Sequence, residues 1–348
     1  MSRDIVHLCV QEKFIPPFVQ LVREHFGLDR HLFLVSGKGA AFLPEAGDAV
    51  VPVPGIAGRL RRLGALYAAR KIILHGLYDA KFLYLLALQP WLLPKCYWMV
   101  WGDDLYRYLD PHRSRKGAFK EMVRRFVIRR IGHVVTYIRG DYDLVKEWYG
   151  SRATMVDCLM YMSNVYQPMP DLPASRATAT VIQVGNSAYA RNLHEEALER
   201  IAPFRDQAIE VYAPLSYGPK PHAQAVATRG RALLGDRFFP MLDFMDFASY
   251  REFLAKIDIA VFNNTRQQAM GNIITLLGMG KTLYLRRSTT TWPLLEQIGV
   301  KVFDAEQFSL RQLTPAERER NIALVQQHFS RERLLAQLGA LFAGAEAA

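Results

Sequence analysis

The sequence predicts an α/β protein made of two successive domains with parallel sheets, and three observations predict it. Short β-branched runs alternate with amphipathic segments from end to end, as strands joined by crossover helices do. Near the middle, Gln167–Ser175 holds three prolines in nine residues, and the alternation restarts after it. The 348 residues are half apolar and only 22% charged, enough to bury two cores. The expected organisation is one domain over 1–166, a linker over 167–176, a second domain over 177–330 and a terminal helix in 331–348.

In the first domain, strands fit Ile5–Val10, His31–Val35, Ala49–Val53, Lys71–His75, Cys96–Trp101, His133–Tyr137 and Thr154–Val156. Helices fit Phe14–Phe26, Ala80–Leu88, Phe119–Arg130 and Tyr142–Tyr149. In the second, strands fit Thr180–Val184, Ala208–Tyr212, Ile257–Phe262, Thr282–Leu285 and Val300–Phe303. Helices fit Leu193–Ile201, His222–Leu234, Phe247–Ala255, Ile273–Met279, Pro293–Ile298 and a stretch from Pro315, with Arg333–Phe342 at the end. Two such domains make a cleft the natural place for a ligand.

Composition excludes several classes. Cys9, Cys96 and Cys158 are odd in number and unpaired in spacing, which argues for a reducing compartment and against a disulfide framework or zinc site. The apolar tract Phe82–Trp101 is broken by Gln89, Pro90, Pro94 and Lys95, so it reads as helix, turn and strand and not as a membrane span. The start of the chain reads as a first strand, not a signal peptide. No GxxxxGK[ST], GxSxG, HExxH or usable GxGxxG occurs, which removes ordinary NTPase and dinucleotide oxidoreductase readings.

Charge is uneven. The net charge is +11, and residues 1–165 carry 24 Lys and Arg against 15 Asp and Glu. Arg59, Arg61 and Arg62 form one basic cluster; Arg113, Arg115, Lys116, Lys120 and Arg124 belong to another, on a helix whose apolar residues recur at helical spacing. Such a face suits an anionic membrane surface, and those eight residues are the expected contacts. A solvated helix face is the plainer alternative. No motif supports a nucleic-acid partner.

The polar ends of predicted strands are where chemistry would sit. Asn263-Asn264-Thr265-Arg266-Gln267-Gln268 ends one apolar strand and opens, through Gly271 and Asn272, into an apolar helix. Free N–H groups and the helix dipole there favour an anion, and Arg266 could neutralise a diphosphate. Gly185-Asn186-Ser187 and Ser216-Tyr217 follow two other strands, on the same predicted sheet edge. Tyr217 could stack on a base; simple turns account for these loops equally well. In the first domain, Trp101-Gly102-Asp103-Asp104 follows a buried strand. Adjacent residues on an extended chain point apart, so one carboxylate is expected as a cap and the other as a general base. Lys13 and His75 lie on that edge, each a weak signal alone.

These junctions resemble the TDP-4-acetamido-4,6-dideoxygalactose (TDP-N-acetylfucosamine):lipid II transferases of enterobacterial common antigen synthesis. The resemblance rests on Trp101-Gly102-x-Asp104-Leu105-Tyr106, Gln183-Val184-Gly185-Asn186-Ser187, Tyr212-x-Pro214-Leu215-Ser216-Tyr217 and Arg266-Gln267-Gln268-x-x-Gly271, across residues 70–305. It implies a GT-B glycosyltransferase fold, two Rossmann-like domains facing across a cleft. It also implies a TDP-sugar donor, an undecaprenyl-diphosphate-linked saccharide acceptor, no cofactor or metal, and peripheral residence on the cytoplasmic face of the bacterial inner membrane.

On that reading Arg266 and the N–H groups near Gly271 and Asn272 stabilise the leaving group. Gly185, Asn186, Ser187, Ser216 and Tyr217 line nucleotide and sugar, with Asn263, Asn264, Gln267 and Gln268 beside them. Asp104, then Asp103, is the expected carboxylate at the acceptor hydroxyl, although Asp103 stands where the family pattern leads one to expect a small residue. The alternatives are a transferase for another nucleotide sugar with a lipopolysaccharide or protein acceptor, a sugar-nucleotide epimerase, and a non-catalytic basic lipid-binding protein of the same fold.

Overall fold

A computed structural model describes residues 3–343 except 38–41, 43, 46, 112–113 and 169–177, and it leaves out the side chains of 247 and 248. The expected linker, 167–176, therefore lies almost wholly outside the described residues. The chain divides into two units, one ending at Ser163 and resuming at Arg331, the other spanning Asn164–Ser330.

In the first unit β1 (Ile5–Val10), α1 (Ile15–Phe26) and β2 (His31–Ser36) are followed by β3 (Val50–Pro52), α2 (Gly55–Leu60), α3 (Leu63–Ala68) and β4 (Lys71–His75). Next come α4 (Ala80–Ala87), β5 (Cys96–Met99), the four-residue α5 (Asp103–Tyr106), α6 (Arg115–Arg130), β6 (His133–Val135), α7 (Arg139–Tyr149) and β7 (Thr154–Val156). All strands pair in parallel in the order β3-β2-β1-β4-β5-β6-β7. From β1 the chain moves one way to β2 and β3, then crosses back to β4. The switch point therefore lies between β1 and β4.

Helices cover both sheet faces, so these strands are near-continuous apolar runs and not alternating ones. Val6, Leu8, Leu34, Ile72 and Leu74 pack against Leu66, Phe82, Leu86, Val127 and Ile128 on one face. On the other, His7, Phe33 and His75 meet Phe18 of α1. The terminal helix, Arg331–Phe342, belongs to this face and unit: Phe342 stands edge-on to Phe26 and His31, and Gln337 and Arg333 both bond Asp157. Helix α6 starts a turn earlier than its apolar spacing predicts because the Ser114 hydroxyl accepts from Gly117 N at 3.1 Å and caps it. Short α2 and α3 were not expected, since Gly55, Gly58 and Gly64 interrupt their pattern.

The second unit runs β8 (Thr180–Val184), α8 (His194–Ile201), β9 (Ile209–Pro214), α9 (Lys220–Leu234), β10 (Phe238–Met241) and α10 (Phe247–Lys256). It continues with β11 (Ile259–Phe262), α11 (Met270–Gly278), β12 (Thr282–Leu285), α12 (Thr291–Gln297), β13 (Phe303–Asp304) and α13 (Pro315–His328). Its six parallel strands lie in the order β10-β9-β8-β11-β12-β13, with the switch point between β8 and β11. Strand β10 escaped the sequence reading because it is four residues long and contains Pro240. As an edge strand it tolerates the missing donor.

Candidate active site

The loops leaving β8 and β11 meet at the switch point of the second unit. Gly185 ends β8 with φ +67°, and its N–H continues the ladder to Val261 O at 2.9 Å. A Cβ there would lie 2.7 Å from His194 Nε2 and 3.0 Å from Asn192 Oδ1, so conformation and space both require glycine. Gln268 Nε2 reaches across from the β11 loop to Asn186 Oδ1 at 3.2 Å and Asn192 Oδ1 at 3.3 Å. Thr265 N donates to Arg191 O at 3.1 Å. Asn192, fully buried, is the hub of the β8 loop: its amide also donates to Ser187 O, Ser187 Oγ and Tyr189 O.

Helix α11 opens from this loop through Ala269, a non-glycine residue at φ +61° that supplies no side-chain cap. A left-handed alanine is strained by about 1–2 kcal/mol. The first-turn N–H groups of α11, Gly271 among them, thus lack the side-chain acceptor that usually covers them. Beside it Arg266 is partly buried, Gln267 is buried, and the buried Asn264 Oδ1 accepts no hydrogen bond from the protein. His194, at the start of α8, is 1% exposed, and neither of its ring nitrogens has a protein partner. Burial, with His222 adding to it, lowers its pKa to about 4, so the ring is neutral near pH 7.

Gly185, Asn186, Asn264, Arg266, Gln267, Gln268 and Gly271 thus converge as the sequence suggests, with Ser216 and Tyr217 exposed on the neighbouring loop of the same edge. Three expected ligand contacts are corrected. Asn263 is 1% exposed, its amide donating to Leu193 O and its oxygen accepting from Arg286 Nε at 3.2 Å. The buried Ser187 is held by Asn192, and Asn272 bonds the Tyr250 hydroxyl. Asn263 and Ser187 thus support the loops instead of facing solvent, and the half-buried Asn272 engages Tyr250 of α10.

Sequence reasoning missed Asn192, His194 and Arg286. Arg286 bonds Asn263 and pairs with Glu196 at 2.7 Å. Burial raises the Glu196 carboxyl, but the Asn263 bond and the Arg286 and Arg200 charges outweigh it and leave the pKa below its ordinary value. No motif marks these residues: Asn192 and Arg286 are joined to Gln268 and Glu196 far along the chain, and His194 is set apart by its burial.

The first unit overturns the principal catalytic expectation. Asp104 is 0% exposed and accepts from Trp98 Nε1 at 2.7 Å, Trp101 N at 3.0 Å, Leu105 N at 3.0 Å and Leu77 N at 3.1 Å. A carboxylate with four donors and no exposure cannot reach an acceptor hydroxyl; it pins the turn after β5. Burial raises its pKa more than these bonds lower it. Asp103 is the half-exposed carboxylate, 3.7 Å from Arg107. His75 is structural too, in a buried chain. His31 Nδ1 and His7 Nε2 are 2.9 Å apart, His7 Nδ1 and His75 Nε2 3.0 Å, and His75 Nδ1 and Tyr161 Oη 2.7 Å. Lys13 is exposed over the Phe14 ring in this unit and is not among the residues converging at β8 and β11.

A family model described as 4-alpha-L-fucosyltransferase, glycosyl transferase group 56, matches residues 65–330. The chain belongs to this family. It is a glycosyltransferase, and solved structures show the same GT-B architecture of two Rossmann-like domains. HepE of Anabaena, in complex with UDP and glucose, is 14% identical with a TM-score of 0.67, over 97% of this chain and 98% of that one. Sucrose-phosphate synthase of Thermosynechococcus elongatus is 13% identical, TM-score 0.64, over 98% of each. WaaG, a glycosyltransferase involved in lipopolysaccharide biosynthesis, is 11% identical, TM-score 0.53, over 95% and 92%.

The basic surface of this group 56 glycosyltransferase is narrower than its sequence suggests. Arg59 is buried, bonded to Asp79 and to Val53 O. Arg124 is 2% exposed, bonding both Glu121 oxygens, Tyr149 Oη and Asp104 O. Neither can meet a membrane, because each guanidinium is committed to buried partners. Arg113 lies outside the described residues. Arg61, Arg62, Arg115 and Lys116 are exposed and Lys120 is partly buried. Large apolar side chains stand out among them: Ile56, Leu60 and Tyr67 on α2 and α3, Leu88 and Trp91 after α4, and Phe119 and Met122 on α6. Tyr67 bonds Gln89, and the Tyr84 and Phe119 rings are 6.2 Å apart, so these helices share one surface. No helix among the described residues is long and apolar enough to cross a membrane.

Proposed function

We propose that this glycosyltransferase moves a 4-acetamido-4,6-dideoxyhexose, or a related deoxyamino sugar, from a TDP-sugar to a lipid-linked (undecaprenyl-diphosphate) saccharide. It does so peripherally, at the cytoplasmic face of the bacterial inner membrane. The observation that carries the donor half is the switch point of the second unit. Arg266, the uncapped first turn of α11 and the unpartnered Asn264 oxygen gather there, beside the tight glycine turn at Gly185. Transfer forms a bond from the acceptor oxygen to the anomeric carbon as the bond to the diphosphate breaks. Negative charge grows on the diphosphate, and Arg266 with the α11 N–H groups neutralises it, so no metal ion is required. The acceptor's proton passes to a base, for which Asp103, the exposed member of the carboxylate pair, is the residue we assign.

The acceptor half is supported by the surface of α2, α3 and α6. Basic side chains among exposed Trp91, Leu60 and Phe119 suit an anionic bilayer, each charge adding about 1 kcal/mol.

Thermal stabilisation by TDP, UDP, GDP and NAD, with wild type against Arg266→Ala, tests the donor. TDP at about 100 times its Kd adds ~2.7 kcal/mol. A shift with TDP that the variant loses is expected; a shift with UDP or GDP alone would move the donor assignment, and no shift at all would remove it. Transfer that persists in EDTA is expected, as is loss of turnover in Asp103→Asn with TDP binding kept. Full turnover in that variant would take the base role from Asp103. Sedimentation with vesicles containing anionic lipid, against neutral ones, tests the membrane contact.

A further inference from the structure

Two exposed tyrosines stand on the loops that leave β8 and β9 in the second unit. Tyr189, 46% exposed, follows β8; Tyr217, 65% exposed, follows β9. The two strands are parallel neighbours, so both rings rise from the carboxyl edge that carries Gly185. Their centroids are 5.9 Å apart at 65°, an edge-to-face pair.

The pair is held from below. Ala188 N donates to Tyr217 O at 2.7 Å. Gly218 has φ +126°, and a Cβ on it would lie 2.9 Å from the Ala188 carbonyl carbon, so glycine alone lets the two loops close together. Asn192 donates to Tyr189 O from its backbone at 3.0 Å and from its side chain at 3.1 Å. Asn192 is also the residue that Gln268 reaches from the β11 loop. One buried hub therefore sets the polar loops and the aromatic pair together. Pro214 pairs with Met241 in register, and Phe244, 85% exposed, follows that strand as Tyr217 follows β9. A third ring thus sits on the next loop of this edge.

We infer that Tyr189 and Tyr217 form the stacking site for the nucleobase of the donor, an inference that rests on reading the β8–β11 edge as the nucleotide site. Rings whose backbone is held by hydrogen bonds lose little entropy on binding, and an exposed aromatic ring can stack a planar base whatever its hydrogen-bonding pattern. The sequence singles out Tyr217 alone. Tyr189 joins it only through the contact between the two loops.

Isothermal titration of wild type, Tyr189→Ala, Tyr217→Ala and the two Phe substitutions with TDP and with inorganic diphosphate tests this. Each alanine is expected to weaken TDP about tenfold, with phenylalanine near wild type and diphosphate affinity unchanged throughout. TDP affinity unaltered by either alanine would overturn the inference, and so would an equal loss of diphosphate, which marks collapse of the loops. A wild type that binds diphosphate as tightly as TDP overturns the stacking site and leaves the diphosphate site standing. A wild type that binds neither overturns both.

Discussion

The two units carry the same parallel sheet with a switch point after its first strand, yet they treat polar residues at that edge in opposite ways. In the first, Asp104 is saturated by four donors and His7, His31 and His75 are tied into one buried chain. In the second, the Asn264 oxygen and both His194 nitrogens are buried without protein partners, and α11 begins at a strained, uncapped alanine. A buried polar atom without a partner costs about 1–3 kcal/mol. Such a cost is tolerated where a ligand or water completes the bond, whereas the first unit uses its polar groups to hold its own turns. The lesson is that a polar residue after a strand identifies an edge, and its bonding decides what the edge does.

Acid should separate the units most strongly. His75 has a pKa near 3 and His31 near 4, and His7 lies well below its ordinary value, all driven first by burial. These rings are neutral when folded and take protons when unfolded below about pH 6.5, so their contribution is complete above that pH and is lost as it falls toward 4. Three such groups imply a loss of about 4 kcal/mol per pH unit for the first unit, against about 1.4 for His194 in the second. Amide exchange of β1 and β8 between pH 7 and 5 reads this directly; parallel slopes would break the contrast.

Asp104→Ala strands the Leu77, Trp98 and Trp101 donors and should cost on the order of 4 kcal/mol in urea unfolding. Asp103→Ala should cost within about 1 kcal/mol. Equal costs would return Asp104 to consideration as a surface group. Gly185→Ala, left-handed and facing His194, should lose about 2–3 kcal/mol and weaken TDP. Gly150→Ala, at φ +60° and ψ +31° with open space around it, should lose about 1 kcal/mol and leave TDP binding intact. Smallest is the surface effect. Replacing Arg61 and Arg62 by alanine should change stability by no more than ~0.5 kcal/mol while lowering partition onto anionic vesicles about fivefold per charge. Unchanged partition would leave the basic surface of the first unit without a membrane role.

Much of this was legible in the sequence, because period and turn chemistry are local. Alternating strands and helices, Gly185 after β8 and the polar run from Asn263 to Gln268 before α11 needed only neighbouring residues to be seen. What tertiary structure alone decided is which polar groups remain available. Asp103 and Asp104 are adjacent and chemically alike; the indole of Trp98 and the backbone of Leu77 close over one of them. Arg59 and Arg61 share a cluster, but Asp79 buries the first. Asn192 and Arg286 look ordinary in sequence and become central through Gln268 and Glu196 far along the chain, and His194 through its burial. The physical reason is that burial and hydrogen-bond satisfaction are set by long-range packing, whereas amphipathic period and backbone freedom are properties of a few consecutive residues.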